Sequence, residues 1–284
     1  MQLVLKNIRK SYGSHQVLNR LNCVLESGIH GFLGANGVGK STLFNILTGY
    51  ITKDQGDIEY PAFKRDEEVL LSTLPQRFQG YPDMSIQEFM EYLGRLKAKN
   101  VPGRLLQEDI KEKLGVFGLD SIRDKKIKKL SGGQLRRLGI AQAFQLNPKI
   151  VLLDEPTTGL DPAERVRFKN YLAEAGKNEI ILLSTHIVSD LERISKDIYI
   201  LKDCNFITSG SEEELLEQCQ GKVWEMNFTT EEDIERVLCQ NQIAMSYERG
   251  GQIRVRFIAD QQVDKRAMPV KPELNDVYIS YFRD

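Results

Sequence analysis

The sequence has little net charge, no long apolar run and few cysteines. Its 39 basic and 40 acidic side chains leave a net charge of −1. No bulk positive field is present to draw in a polyanion, so no nucleic-acid partner is expected. The longest apolar runs, such as Ile150 to Leu153 and Ile180 to Leu183, have the length of strands. A membrane-spanning helix needs roughly 20 apolar residues, and no run approaches that. The four cysteines, Cys23, Cys204, Cys219 and Cys239, include no C-x-x-C pair, and no histidine stands near them at metal-ligand spacing. They read as buried, reduced thiols rather than as disulfides or a zinc site. Internal repeats, low-complexity tracts and a secretory signal are all missing. With the thiols, the missing signal points to a cytoplasmic location.

What remains is a chain of 284 residues, 41% apolar and 28% charged. That is enough for one large soluble domain, or one domain with a smaller one attached.

The stretch Gly34-Ala35-Asn36-Gly37-Val38-Gly39-Lys40-Ser41 fits G-x-x-x-x-G-K-[ST], a phosphate-binding loop. It follows an apolar run from Ile29 to Leu33 and precedes the helical pattern Thr42 to Leu47. A buried strand delivers the chain to a turn whose glycines let backbone N–H groups wrap an anion. The helix N-terminus adds about half a positive charge there. Lys40 can then reach β and γ phosphates, and the Ser41 hydroxyl can ligate Mg²⁺.

Residues 2–8 and 17–25 read as strands around a turn-like segment, Lys10 to Ser14. Asp57 to Tyr60 and Val69 to Leu74 are further strand candidates. Ser85-Ile86-Gln87-Glu88 is a capping box followed by apolar residues at helical spacing. Leu105 to Phe117 and Leu130 to Phe144 are helical in pattern too, so about 77–145 is expected to be a helical insert in an α/β domain. The run Ile150 to Leu153 is what a strand buried on both faces requires. Asp161-Pro162-Ala163-Glu164 opens a helix, with Asp as N-cap and Pro in the first position. Ile180 to Ser184 is another buried strand, and Ile198 to Leu201 and Phe206 to Ser209 are closing strands. Ser211 to Glu214 caps a helix that starts a second unit. There the pattern is strand (Val223 to Phe228), helix (Glu231 to Cys239), two strands (Ile243 to Tyr247, Ile253 to Ile258) and a final helix (Glu273 to Tyr281). This is a small α+β appendage, about 212–284, with Trp224 in its core.

Asp154 and Glu155 end the buried strand that begins at Ile150. Two carboxylates there are costly unless they bind something. Asp154 would hold Mg²⁺ opposite Ser41, and Glu155 would orient and deprotonate a water attacking a γ-phosphate. His186 follows the strand ending at Ser184, at the edge where α/β sheets bind ligands. Its position leaves two readings open, a loop histidine or a γ-phosphate ligand. Leu130-Ser131-Gly132-Gly133-Gln134 opens a helix and makes a second anion site. One ATP does not need two γ-phosphate cradles, so this loop is expected to read the ATP of another copy, in a head-to-tail dimer.

These motifs, in this order and spacing, resemble the ATP-binding cassette (ABC) family over about residues 1–211. The resemblance implies an α/β P-loop NTPase core with a helical subdomain at about 77–145, and an accessory unit at 212–284. It implies that Tyr12 stacks on adenine and that Gln76 senses Mg²⁺ and the attacking water. Ser131, Gly132 and Gly133 would close on a partner's γ-phosphate, with Gln134 completing the motif. Asp161 would lie in the loop linking the two sites, and His186 would be the switch histidine. The segment Val270 to Tyr278 resembles the C-terminal end of the drug, peptide and polysaccharide exporter cassettes, and Phe78, Tyr81, Pro82 and Met84 fit that group.

The implied function is that of an ATP-hydrolysing motor, a homodimer on the cytoplasmic face of the membrane, driving a separately encoded permease. An importer motor is the alternative within that class. Outside it stand a soluble cassette ATPase acting on ribosomes and a DNA-maintenance ATPase. The first usually carries two cassettes in one chain. The second separates P-loop and signature by a long coiled coil, whereas about 90 residues do so here. The basic run Arg123 to Lys129 reads as a solvated face, or else as an electrostatic aid to nucleotide or anionic headgroups. Phe78 and Tyr81 are contact candidates for a partner helix, while Phe89 and Tyr92 are explained equally well by packing within the insert.

Overall fold

The computed structural model describes residues 1–62, 70–238, 243–249 and 252–282. It opens with β1 (Gln2–Tyr12), β2 (His15–Glu26), β3 (Gly28–Leu33), α1 (Lys40–Leu47), β4 (Gln55–Glu59) and β5 (Leu71–Leu74). Three helices follow, α2 (Ile86–Lys97), α3 (Gly103–Val116) and α4 (Gly132–Ala143). The α/β texture returns with β6 (Ile150–Asp154), α5 (Pro162–Ala175), β7 (Ile180–Thr185), a single 3₁₀ turn at Val188–Asp190, β8 (Asp197–Lys202) and β9 (Asn205–Gly210). The last stretch holds α6 (Glu212–Glu217), β10 (Val223–Phe228), α7 (Glu231–Val237), β11 (Ile243–Arg249), β12 (Gln252–Ile258), β13 (Met268–Pro269) and α8 (Leu274–Tyr281).

The continuous apolar runs become the middle of a six-stranded sheet of order β5-β6-β7-β3-β8-β9. Its first five strands are parallel and β9 is antiparallel. Every residue of β6 and β7 is buried, as a strand covered on both faces requires. Alternate side chains enter two different cores. Val151, Leu153, Ile181 and Leu183 join the helices α2 to α5, whereas Ile150, Leu152, Ile180 and Leu182 join α1 and the antiparallel sheet β2-β1-β4. The result is a three-layer molecule with the parallel sheet in the middle. The expected α/β core and helical insert are both present.

Register decides where the chemistry lies. Leu74 pairs with Leu153, Asp154 with Ser184, and Leu33 with Thr185. Four neighbouring strands therefore end level with one another, and the chain leaves all four at one edge, across about 15 Å at the usual strand spacing.

Several local expectations shift. β1 runs on to Tyr12, so the turn read at Lys10 to Ser14 shrinks to Gly13-Ser14, because pairing with β2 continues to Tyr12 opposite His15. β5 begins at Leu71, with Val69 outside the described residues. α7 ends at Val237, and Cys239 also lies outside them. Cys23 is a buried free thiol, which burial pushes up to about 12, and Cys219 is buried as well. Cys204 is only half-buried, since its Sγ caps the Gln16 carbonyl at the rim. Trp224 packs on the edge of the appendage core, its Nε1 donating to Ala259 O at 3.0 Å. Phe78 is not a free contact residue. It stacks edge-on against Phe89 and fills the space above Gly139, where a Cβ would lie 2.8 Å from its ring. Tyr81 stays half exposed against Tyr92. In the basic run Ile127 is buried, Lys128 pairs with Asp83, and Lys125 bonds Gln134.

The appendage has its own sheet, β11-β12-β10-β13, and a core formed by Met226, Phe228, Ile234, Leu238, Val255 and Phe257. Leu215, Cys219, Val223, Leu274 and Val277 instead belong to the large core under the parallel sheet. Arg256 of β12 links the two parts. Its guanidinium grips Asp276 of α8 at 2.6 and 2.9 Å and donates to Lys271 O at 2.7 Å.

Lys97 closes the joint between insert and sheet. Its stem is half-buried, but its ammonium is enclosed, donating to Ser72 Oγ at 3.0 Å and to the Gln142 carbonyl. Burial lowers its pKa from 10.5 to about 7, with Asp109 opposing. Between those values the unfolded chain holds a proton that the folded chain has lost, so stability rises with pH, by up to about 1.4 kcal/mol per pH unit. Below pH 7 both states are protonated and this dependence vanishes. Lys97→Met is expected to lose that slope between pH 7.5 and 9.5 in denaturant titrations. Equal slopes in variant and parent would contradict the assignment.

Candidate nucleotide site

After β3 the chain turns through Gly34 to Gly39 into α1. A Cβ on Gly34 would lie 2.6 Å from the Leu201 carbonyl, and Gly39 caps α1 at φ 115°, so both must be glycine. Gly37 also has positive φ. Val38 packs sideways onto the core beside β1 and β2, which pins the loop. Lys40 is buried and its Nζ donates to Gly34 O at 2.7 Å and Ala35 O at 3.0 Å. Burial lowers its pKa, while Glu155 and Asp154 work the other way. The lysine thus lies across the loop it would serve. Moving to an incoming phosphate exchanges carbonyl partners for anionic ones.

β6 ends in Asp154 and Glu155 follows it directly, both buried. Ser41 Oγ donates to Asp154 Oδ2 at 2.6 Å, which brings strand and P-loop together as expected. Glu155 has φ 50°, a left-handed conformation unusual for a residue with a side chain. Its N–H donates to Ser184 O at 2.9 Å, and its Oε1 meets His186 Nδ1 at 2.8 Å. Oε2 is buried without a partner. A carboxylate oxygen left this way beside a cavity is poised to accept a hydrogen bond from a water or ligand. That cavity, about 330 Å³, is lined by Asn36, Gly37, Gly39, Lys40, Ser41, Thr42, Gln76, Asp154 and Glu155. A second cavity of about 740 Å³ adjoins it through Ser41, Gln76 and Asp154 and extends past Phe44, Tyr50 and Arg77.

One chain therefore gathers the P-loop, Thr42, Gln76, Asp154, Glu155 and His186. It does not gather the rest. Ser131, Gly132, Gly133, Gln134, Asp161 and Tyr12 line neither cavity. Ser131 and Gly132 are exposed at the start of α4, in a complete capping box: Gln134 N–H donates to Ser131 Oγ, and Ser131 N–H to Gln134 Oε1. Asp161 caps α5 in the same way with Glu164. Tyr12 is half exposed at the end of β1, with the Lys10 ammonium 5.5 Å from its ring centre.

Two buried residues that brace the site were missed in the sequence. Asp190 is buried in the 3₁₀ turn beyond His186. It accepts from Thr157 Oγ1 at 2.5 Å and Thr185 Oγ1 at 3.3 Å, joining the segment after Glu155 to the one before His186. Arg136 is buried beneath Asp154 and Glu155. The signal for it was a charge among the apolar positions of α4, masked by the adjacent Arg137, which pairs with Glu164 at 2.9 Å.

The residues fit a divalent cation in one specific way. Ser41 and Asp154 offer two hard oxygens already in contact, but among the described residues no group of three or more His, Cys, Asp or Glu side chains forms a cage. Mg²⁺ is usually held in that way, by one or two protein oxygens with phosphates and waters completing the shell.

Strand, glycine loop and helix at one end, with an acidic strand end beside it, define a P-loop nucleotide hydrolase. Comparisons make this specific. The ABC transporter family model matches residues 18–158. The uncharacterized ABC transporter ATP-binding protein YxlF of Bacillus subtilis (strain 168) is 33% identical over 79% of this chain and 76% of its own length. The tungstate uptake system ATP-binding protein TupC of Peptoclostridium acidaminophilum is 32% identical over 71% of this chain and 95% of its own length. The Nod factor export ATP-binding protein I of Rhizobium sp. (strain N33) is 30% identical over 97% of this chain and 95% of its own length. The fold is shared with the dimeric structure of MJ0796, a bacterial ABC transporter cassette, at TM-score 0.66 and 24% identity, over 74% of this chain and 98% of that one. The chain belongs to the ABC transporter ATP-binding proteins, and its activity is ATP hydrolysis.

Asp190→Ala leaves two buried threonine hydroxyls without their acceptor, a loss of about 1–3 kcal/mol. ATP turnover should fall on the order of tenfold or more, because Glu155 and His186 lose their shared brace. Thermal melts and steady-state kinetics check this. Unchanged turnover would mean that the brace is structural only.

Proposed function

We propose that this chain is the motor subunit of an ABC exporter, working as a homodimer with Mg²⁺ and a separately encoded membrane permease. One observation carries the reading. The signature loop, Ser131 to Gly133, is a preformed and exposed helix N-terminus that contributes nothing to the P-loop cavity of its own chain. A helix N-terminus with free N–H groups suits a γ-phosphate, and a second copy supplies one.

In this mechanism the P-loop and Lys40 hold the phosphates, and Tyr12 stacks on adenine. Ser41 and Asp154 would hold Mg²⁺, with Gln76 nearby. The metal supplies charge neutralisation at the β and γ phosphates. Glu155 orients the attacking water and takes its proton, and His186 holds the γ-phosphate while bonded to Glu155 Oε1. Ser131 to Gly133 of the second copy complete the site, with Gln134 bracing that loop and Asp161 beside the junction. Loss of the γ-phosphate removes the bridging charge, and the dimer opens. A permease docked by the Gln76 loop converts closure into alternating access, and linkage makes cargo and ATP influence each other's binding.

Among the described residues no helix is long and apolar enough to cross a membrane. The reading gives the pore to a separate permease, with this chain on its cytoplasmic side. Export is favoured over import by coverage. One Nod factor export relative aligns over 97% of this chain and three others over 75–77%, against 71% for the tungstate uptake relative. The same reading treats 1–211 as the ATP-binding unit and 212–284 as an accessory unit seated on it through Leu215, Cys219, Val223, Leu274 and Val277.

Glu155→Gln should abolish turnover and trap an ATP-bound dimer on size-exclusion chromatography. A variant that stays monomeric in saturating ATP would sink the two-copy site. Affinity purification of the tagged protein from gently solubilised membranes should bring down a stoichiometric multi-span protein. Recovery with ribosomes or DNA in the soluble fraction would overturn the transport role and leave the ATPase standing.

A further inference from the structure

We propose that Arg136 is a positioning residue that sets the backbone of Glu155 and of the Gln76 loop, and links both to the signature helix α4. A guanidinium has five N–H donors. Arg136 uses all of them on main-chain carbonyls. Nε donates to Pro156 O at 3.1 Å. Nη1 donates to Pro75 O at 3.0 Å and Gln76 O at 3.2 Å. Nη2 donates to Asp154 O at 2.6 Å and to Glu155 O. The side chain is buried, and its desolvation is compensated by carbonyl dipoles, with the negative ends of Asp154 and Glu155 close enough to help.

What those bonds hold is the least relaxed backbone of the site. Glu155 sits at φ 50°, a left-handed conformation that a Cβ makes unfavourable. Arg136 grips the carbonyls of Asp154 and Glu155, on either side of that φ angle. The same plane reaches the loop after β5. A planar fork can hold two strand ends in fixed relation, and a lysine, with one nitrogen and three donors, cannot.

The other end of the lever is the signature loop. Gly132 and Arg136 are one helical turn apart, about 6 Å along α4. A helix turn does not stretch, so a displacement of Ser131 to Gly133 reaches the carbonyls under Glu155. This last link rests on the reading that the loop meets a nucleotide on a second copy. Through it, occupancy of one site adjusts the base and the Gln76 loop of the other.

The test uses the full-length protein with Arg136→Lys and Arg136→Gln, each alone and combined with Glu155→Gln. Nucleotide is Mg-ATP, with affinity from calorimetry and turnover from phosphate release. Expected are a fall in kcat of about 20-fold or more, an ATP Kd within about threefold of the parent, and a Hill coefficient falling towards one. In the Glu155→Gln background the ATP-induced dimer should still form, since Arg136 acts on hydrolysis and not on closure. The lysine variant should keep the parent's melting temperature within a few degrees yet not recover kcat, an outcome that a purely structural role does not produce. The proposal is overturned if kcat stays within about threefold, if Kd weakens in step with kcat, or if both variants lose the fold. Should Glu155→Gln with native Arg136 fail to dimerise in ATP, the two-copy reading falls. The split between kcat and Kd then still decides whether Arg136 positions Glu155.

Discussion

The constraint on which the rest depends is the level ending of four parallel strands. β5, β6, β7 and β3 are hydrogen-bonded neighbours, and the pairs Leu74–Leu153, Asp154–Ser184 and Leu33–Thr185 keep their carboxyl ends in line. β6 and β7 are buried throughout and β3 beyond Gly28, so none of these can slip by a residue without turning a core side chain the wrong way. Gln76, Glu155, His186 and the P-loop thereby arrive at one edge from residues far apart in sequence. The arrangement of the candidate site is a by-product of register.

That edge is electrostatically expensive, and the expense is what makes it usable. Lys40, Arg136, Asp154 and Glu155 are all buried within one small volume. Burial depresses both Lys40 and Arg136, and the two carboxylates work against that. The charges are held by short internal bonds: Lys40 to its own loop, Ser41 to Asp154, His186 to Glu155. The Lys40 bonds to neutral carbonyls are ones that a polyphosphate can replace with stronger ones. Glu155 Oε2 is buried without a partner, and Glu155 lines the cavity.

The appendage is joined to this machinery, not hung from it. α8 belongs to the same hydrophobic core as Val188 and Leu191, which flank Asp190 in the turn beyond His186. Its other side is locked to the appendage sheet by Arg256 on Asp276. A buried ion pair of this kind adds little net stability but is costly to break, which suits an element that must hold one orientation. A force on the four-stranded sheet thus has a solid path to the segment that carries His186.

Much of this was legible in the residues. The P-loop needs only local geometry, a strand, three glycines and a helix start, and local geometry is what sequence spacing encodes. The same holds for the acidic end of β6 and for the capping boxes at Ser85, Ser131, Asp161 and Ser211, whose side chains reach only three residues ahead. Arg136 and Asp190 were not legible, because their partners are backbone carbonyls and threonines that only folding brings near. Nor was the role of Phe78, which looks like loop and packs as core. The sequence by itself determined which short segments bind phosphate, cap helices and cross the core, since those depend on neighbours within about one turn or strand. Only the tertiary structure decided which of them share a site: the parallel register joined four strand ends, and the position of α4 kept Ser131 to Gly133 out of their cavity.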